Sequence, residues 1–143
     1  MSDVEAMVAW LRSVLDADEQ AAREAMSRSA GEWRFAPDEL GIWPDYVSAV
    51  DDSTEYPLVT GAQSYVGDMI NEGIGAHIAR HDPADTLARI EGERAILDQY
   101  EQAVDLYEGD REAPDGVAAL EIAVRALAFG YRHRDGWQEG WAP

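Results

Sequence analysis

Near the start of the chain, apolar residues recur at the three- and four-residue spacing of an α-helix. The stripe covers roughly three helical turns, so one face of this segment has to be buried against the rest of the protein. It consists of Val4, Met7, Val8, Leu11, Val14 and Leu15. Ser2, with Glu5 three residues later, is the pattern of a capping box and predicts where the helix begins. The fold therefore has to be built around an amphipathic first helix.

The chain has 143 residues and no cysteine, so its core has to be held together by packing alone. A chain of this length buries about 68–70% of the surface that it exposes when unfolded. We expect a single domain, residues 1–143. The first ten residues are acidic and amphipathic, unlike a secretory segment, and no apolar run approaches the roughly 20 residues that span a bilayer. These features predict a cytoplasmic protein that makes no contact with membranes.

The remaining segments predict an α+β fold, mostly helical, with three to four helices. Short aromatic and β-branched runs, separated by proline, glycine and aspartate, occupy residues 31–61 and indicate a small antiparallel β-meander between the first and second helices. Helical spacing returns after this region, and a long helix is expected from Pro83 to Gly109. A largely apolar helix from about Asp115 to Phe129 should be the most buried one, and an aromatic tail follows it.

Two of the three histidines stand four residues apart in the segment AHIARHDPAD, residues 76–85. On a helical wheel, His77 and His81 share a sector with Val66, Ile70 and Ile74, which predicts that both lie on the apolar face. Imidazoles at this spacing can share a metal ion. No acid of this helix lies in the same sector, so a third ligand would have to come from elsewhere in the chain.

The residues after the second histidine favour a joint between two helices. Asp82 suits the N-cap position, Pro83 the first helical position and Asp85 the first turn, which together form a strong helix-start signal. His81 then ends the preceding helix. The favoured interpretation is therefore a structural joint with satisfied core histidines, and the alternative is a metal site formed by His77 and His81.

The charge of the chain limits its possible partners. Twenty-nine acidic residues oppose 11 basic ones, all of them arginine, which gives a net charge of −18. Residues 111–143 carry five acids and four arginines, so the negative charge is concentrated before them. Such a surface repels the nucleic-acid backbone. We therefore expect no direct binding of nucleic acid, and a protein with a basic surface is the expected partner.

Acidic side chains of the long helix are the first candidates for partner binding. They lie in the acid-rich stretch from Asp98 to Glu112 and comprise Asp98, Glu101, Asp105 and Glu108. By presenting carboxylates where phosphates would lie, they could inhibit a machine that handles nucleic acid. The alternative is an ordinary solvated acidic surface, which maintains solubility.

The aromatic tail supplies the second group of candidates, Tyr131, Trp137 and Trp141. Tyrosine, tryptophan and arginine commonly anchor protein interfaces, and Arg132 and Arg134 lie among these aromatic residues. The alternative is a tail that folds back to cover the core, with both arginines paired to acids of the long helix.

The sequence contains no recognised catalytic template. It has no phosphate-binding loop, no dinucleotide fingerprint and no serine in a nucleophile elbow. We therefore expect a non-enzymatic interaction module without a cofactor. The alternative function is a metal-dependent enzyme that uses His77 and His81. The sequence does not determine the oligomeric state.

Several motifs resemble those of an uncharacterised family of small proteins from actinobacteria and their phages, a domain of unknown function. The most specific motif is HIARHDPA, from His77 to Ala84, which leads into a long charged helix containing ERAILDQYE. The others are a DEQ element at residues 18–20, a glycine-x-tryptophan opening at residues 31–33 and the closing aromatic segment, residues 127–143.

The chain departs from that family at two points. Gly130 stands where a proline is common, and the cysteines that many members carry between the last helices are absent. The resemblance brings no known activity. It implies a setting of phage-associated and mobile accessory genes, where small acidic inhibitors of host defence are frequent, and so agrees with an acidic accessory protein that acts as a possible DNA mimic.

Overall fold

Four α-helices and three short strands make up the part of the chain that a computed structural model describes. The described residues are 2–28, 31–36, 46–49, 58–60, 72–109 and 114–143. In chain order the elements are α1 (Asp3–Arg28), β1 (Trp33–Ala36), β2 (Tyr46–Ala49), β3 (Leu58–Thr60), α2 (Glu72–Arg80), α3 (Pro83–Gly109), α4 (Pro114–Gly130) and a 3-10 turn (Glu139–Trp141). The prediction of a mostly helical chain with three to four helices is confirmed.

The chain divides into two compact units. The helical unit comprises Met1–Asp18 and Arg89–Pro143, and the mixed unit comprises Glu19–Ala88. The single domain stays a prediction. None of the described helices is long and apolar enough to cross a membrane.

The capping box predicted for the first helix is present. The backbone N–H of Glu5 donates to Ser2 Oγ at 3.2 Å, and the backbone N–H of Ser2 donates to Glu5 Oε2 at 2.6 Å. These bonds satisfy two backbone donors that a helix N-terminus otherwise leaves without a partner. The start of α1 is therefore fixed by its own sequence.

The core of the helical unit is built on the predicted stripe of α1. All six residues of that stripe are buried, and they form one cluster with Ile90, Leu97 and Tyr100 of α3, Val124 and Ala128 of α4, and Tyr131 and Trp141 of the tail. The prediction that α4 is the most buried helix is wrong. Its Ile122 is 67% exposed and its Phe129 38% exposed, because an apolar composition does not determine how many faces of a helix find a partner.

The tail returns to α1 through Trp10. The indole Nε1–H of Trp10 donates to the backbone oxygen of Asp135 at 2.8 Å, and its ring lies 5.8 Å from that of Trp137 and 5.3 Å from that of Trp141. Gly136 has a φ of +88°, and a Cβ there would lie 2.9 Å from Trp10 Nε1. The predicted alternative of a tail that covers the core is confirmed.

In the mixed unit, three strands pair antiparallel in the order β1-β2-β3. Trp33 lies opposite Ala49 and Ala36 opposite Tyr46, and the register between β2 and β3 shifts after Val47. Helix α2 packs against β1 and β2. The connecting residues 37–45 and 50–57 of the expected meander lie outside the described residues, so the meander as a whole stays a prediction.

Among the elements after residue 61, α3 and α4 begin and end at or next to the residues that the sequence predicts. Residues 61–71, including Val66 and Ile70 of the predicted apolar sector, lie outside the described part of the chain. Helix α3 begins at Pro83 and ends at Gly109, as expected. The start and stop residues of the long helix were therefore sufficient to place it.

We predict that Gly136→Ala destabilises the protein by about 1–3 kcal/mol. The left-handed backbone disfavours any side chain with a Cβ, and the added methyl would collide with the Trp10 ring. Chemical denaturation measures the loss. Gly140→Ala is the matched control, because a Cβ at Gly140 meets nothing within 4 Å. Equal stability of the two variants would contradict the close approach of Trp10.

Candidate functional site

The acidic residues of α3 surround an arginine of α1. Arg12 Nη2 lies 2.8 Å from Asp98 Oδ1 and 2.8 Å from Glu101 Oε2, and Arg12 Nε donates to Glu101 Oε1 at 3.2 Å. Hydrogen bonds to Glu101 and then to Asp98 raise the pKa of Arg12. Both carboxylates are still about half exposed. They can therefore be approached from solvent although each has an arginine partner.

The same helix exposes apolar side chains near its C-terminal end. Leu106 is 73% exposed and Tyr107 41% exposed, and Asp105 directly before them is exposed too. The side chain of Glu108, the remaining acidic candidate, lies outside the described residues. The end of α3 therefore exposes a carboxylate and two apolar side chains at successive positions of the chain.

The three aromatic candidates of the tail lie in or against the core. Tyr131 and Trp141 are buried, and Trp137 packs against the cluster as a partly buried side chain. The ring of Trp137 also lies 5.7 Å from Trp141 and 6.1 Å from Phe129. Partner binding by these residues stays a prediction, but Tyr131 and Trp141 present almost no surface for it.

A polar network that the sequence did not predict holds the beginning of this tail. Arg89 of α3 donates to the hydroxyl of Tyr131 and to both carboxylate oxygens of Glu93, at 3.1 and 3.2 Å. The Tyr131 hydroxyl in turn donates to Glu93 Oε2 at 2.5 Å. Arg89 also lies 3.9 Å from Asp18, which accepts a hydrogen bond of 2.7 Å from Arg134.

Burial explains why these charges are paired. The carboxylates of Asp18 and Glu93 are only 14% and 15% exposed, and a buried charge without a partner is costly.

The expected pairing of the tail arginines with the long helix is wrong. Arg134 pairs with Asp18 of α1. Arg132 donates to the Phe129 backbone oxygen and stacks on the Phe129 ring. Partners up to 116 residues apart leave no local sequence signal.

The network shifts the ionisation of Tyr131. Burial and then the hydrogen bond to the Glu93 carboxylate raise the pKa of Tyr131 from its ordinary 10 to about 12. Both causes oppose a phenolate, because it would be poorly solvated and would face a second negative charge. Tyr131 therefore acts as a neutral hydrogen-bond donor at physiological pH.

Asp82 joins two helices as predicted and also anchors a strand. Its Oδ1 accepts the backbone N–H of Asp85 at 2.7 Å, which caps α3. Its Oδ2 accepts the backbone N–H of Trp33 at 3.0 Å, and the N–H of Ala84 donates to the oxygen of Gly31 at 3.0 Å. The segment HDPA thus binds the GEW segment at the start of β1, a contact that local sequence signals do not reveal.

The predicted apolar position of the two histidines is wrong. His77 and His81 are both exposed, and their ring centres lie 4.5 Å apart. His81 Nδ1 lies 3.9 Å from Asp85 Oδ2. The wheel extended the apolar sector into the last turn of α2, but periodicity alone does not show whether another element covers that turn. Within the described residues, no group of three or more His, Asp or Glu side chains is arranged to hold a metal ion.

Comparison with known protein families shows which family this chain belongs to. The model of the "Family of unknown function (DUF6221)" matches residues 4–143. The chain belongs to this family. Membership of a family without an assigned activity is therefore confirmed. No curated protein and no solved structure matches the chain.

We predict that Asp82→Ala costs about 1–3.5 kcal/mol, since it loses a helix cap worth about 0.5–2 kcal/mol and a second backbone hydrogen bond worth about 0.5–1.5 kcal/mol. Asp82→Asn should cost less, because asparagine caps a helix as well as aspartate does but has only one acceptor oxygen. Urea unfolding of both variants measures the difference. A wild-type value for Asp82→Asn would show that the bond to Trp33 contributes nothing, and a wild-type value for Asp82→Ala would refute the joint.

We predict that alkaline titration of the folded protein shows a tyrosine ionisation at a pKa of about 12 that Tyr131→Phe removes. The folded pKa of Tyr131 lies above the unfolded value of 10, so the neutral phenol stabilises the folded state. This contribution to the free energy of unfolding is complete below pH 10 and is lost between about pH 10 and 12. Tyrosinate absorbance reports the ionisation. The control Tyr107→Phe alters an exposed ring and should keep it. Retention of the late ionisation in Tyr131→Phe would contradict the assignment.

Proposed function

We propose that this protein is a non-enzymatic interaction module that binds a protein partner with a basic surface. The single observation that carries the proposal is the composition of the end of α3. Leu106 is 73% exposed and lies next to Tyr107 and Asp105. Apolar and tyrosine side chains close to charged ones are typical of interfaces.

We assign Asp98, Glu101, Asp105 and Glu108 to the proposed interface from their positions along α3. Residues three and four apart lie on one side of a helix, so these acids follow one another along α3. The net charge of −18 favours a cationic partner at long range and disfavours nucleic acid itself. A basic protein surface is the complement that fits both properties.

The proposed partner is a protein that handles nucleic acid. The basic surface that such a protein uses for phosphates could accept the carboxylates of α3 instead, so that this chain inhibits or modulates it as a DNA mimic. The resemblance of the segment His77–Ala84 to actinobacterial and phage proteins supports an accessory, anti-defence role in a phage or mobile element. The tail is left out of the proposed interface because Tyr131 and Trp141 are buried.

The alternative function is a metal-dependent enzyme based on His77 and His81. The described residues bring these two imidazoles together but place no third metal ligand with them. A catalytic metal in a protein usually has three protein ligands. The interaction module is therefore the function that we put forward.

Affinity capture with the tagged full chain in its native host identifies the partner. Binding measurements with the purified partner then test the proposal. We expect the double variant Asp105→Asn/Leu106→Ala to bind at least about tenfold more weakly than the wild type. Glu91→Gln and Ile122→Ala are matched controls. Glu91 is an exposed acid about 21 Å away along α3, judged from the helical rise, and Ile122 is an exposed apolar residue of α4.

The affinity should also fall as salt is added, because exposed charges are screened. Unchanged binding by the double variant would refute the α3 interface. Competition with duplex DNA tests the finer proposal: displacement of this chain from its partner supports mimicry. If DNA and this chain bind the partner together, mimicry is wrong although the interaction stands.

A further inference from the structure

We propose that His77 and His81 form a two-imidazole chelate for a borderline divalent transition-metal ion such as Zn²⁺ or Ni²⁺. The proposal is a binding site and does not depend on the proposed interaction surface. It follows from the exposed position of both rings, their separation, and the groups that surround them.

The backbone holds the two histidines in helical register. The N–H of His81 donates to the oxygen of His77 and to that of Ile78, each at 3.2 Å. His81 therefore continues the last turn of α2 although the helix itself ends at Arg80. Side chains four residues apart on a helix have Cβ atoms about 5–6 Å apart. Both imidazoles thus leave the same side of the same turn.

The distance between the rings suits a shared ion. A Zn–N bond is about 2.0–2.1 Å long, so two imidazoles that meet at a metal with an angle of about 90–109° have ring centres about 4.5–5.2 Å apart. The measured separation is 4.5 Å, with the ring planes inclined by 60°. Small side-chain rotations would bring one nitrogen of each ring to the ion without moving the backbone.

The surroundings favour a cation at this point. The C-terminal end of α2 carries the negative end of the helix dipole, and the net charge of −18 raises the local concentration of cations. Asp85 Oδ2 lies 3.9 Å from His81 Nδ1, which leaves Nε2 of that ring to bind the ion. A carboxylate near the other nitrogen favours the ring orientation in which Nε2 faces the ion.

The ligand types select the class of metal. Imidazole nitrogen suits zinc, nickel and copper, whereas magnesium and calcium prefer oxygen ligands. Within the described residues only two imidazoles converge here, so water or an external ligand would fill the other positions. The site should therefore bind a metal reversibly and not act as a permanently occupied structural centre.

Zinc titration of the full chain, freed of any affinity tag, tests this site. In NMR spectra of the imidazole nitrogens, we expect the resonances of His77 and His81 to shift together at one ion per chain, while those of His133 stay in place. At a zinc concentration one hundred times the dissociation constant, the ratio of folded to unfolded protein should rise about 100-fold.

Variants separate this site from binding by the many surface carboxylates. His77→Ala and His81→Ala should each weaken zinc binding at least about tenfold by calorimetry, and Asp85→Asn about 10-fold. The control His133→Ala should leave the affinity unchanged. Both rings are exposed, so alanine is expected to be tolerated, and circular dichroism verifies that each variant is folded.

Three results would overturn the proposal. One is the absence of any histidine shift up to millimolar zinc. Another is an unchanged zinc affinity in the folded His77→Ala or His81→Ala variant. The third is equal competition by Mg²⁺, which would assign the binding to carboxylates instead of imidazoles.

Discussion

The core of the helical unit depends on the return of the C-terminal tail to Trp10. Six apolar residues of α1 need cover, and α3 and α4 supply only part of it. Trp141 completes the cluster, and the Trp10 indole donates to the turn at Asp135. The glycine at residue 136 is required by this approach, since its φ is positive and its α-carbon faces the indole without room for a side chain. In a chain without cysteine, this packing holds the tail against α1, whereas many small domains use a disulfide for such a connection.

Charge in this protein has two distinct roles. Asp18 and Glu93 are largely buried and need Arg89, Arg134 and Tyr131 as partners, so they belong to the architecture of the tail. Asp98, Glu101 and Asp105 are exposed and lie on a helix that also exposes Leu106. Exposed ion pairs such as those of Arg12 contribute only about 0–1 kcal/mol to stability each. The acids of α3 are thus available for binding at little cost to the fold.

The segment His77–Ala84, which resembles a family motif, contains two kinds of residue with different roles. Asp82 and Ala84 form hydrogen bonds that connect the start of α3 to the start of β1, and their role is structural. The two histidines just before them contribute nothing visible to a core, because both are exposed. The backbone at this imidazole pair is fixed by hydrogen bonds of the helix end, while both rings reach solvent. That combination is what a reversible metal-binding site requires.

The sequence by itself determined the features whose signals lie within a few residues: the buried stripe of α1, the Ser2–Glu5 capping box, the Asp82 cap and the bounds of α3. Each depends on backbone groups or side chains one helical turn apart, where spacing alone fixes the geometry. Only the tertiary structure decided that Asp82 also holds Trp33, that Tyr131 joins Arg89 and Glu93, and that His77 and His81 face solvent. Those partners are distant in the chain, and helical periodicity states that a face is apolar without stating which element, if any, covers it.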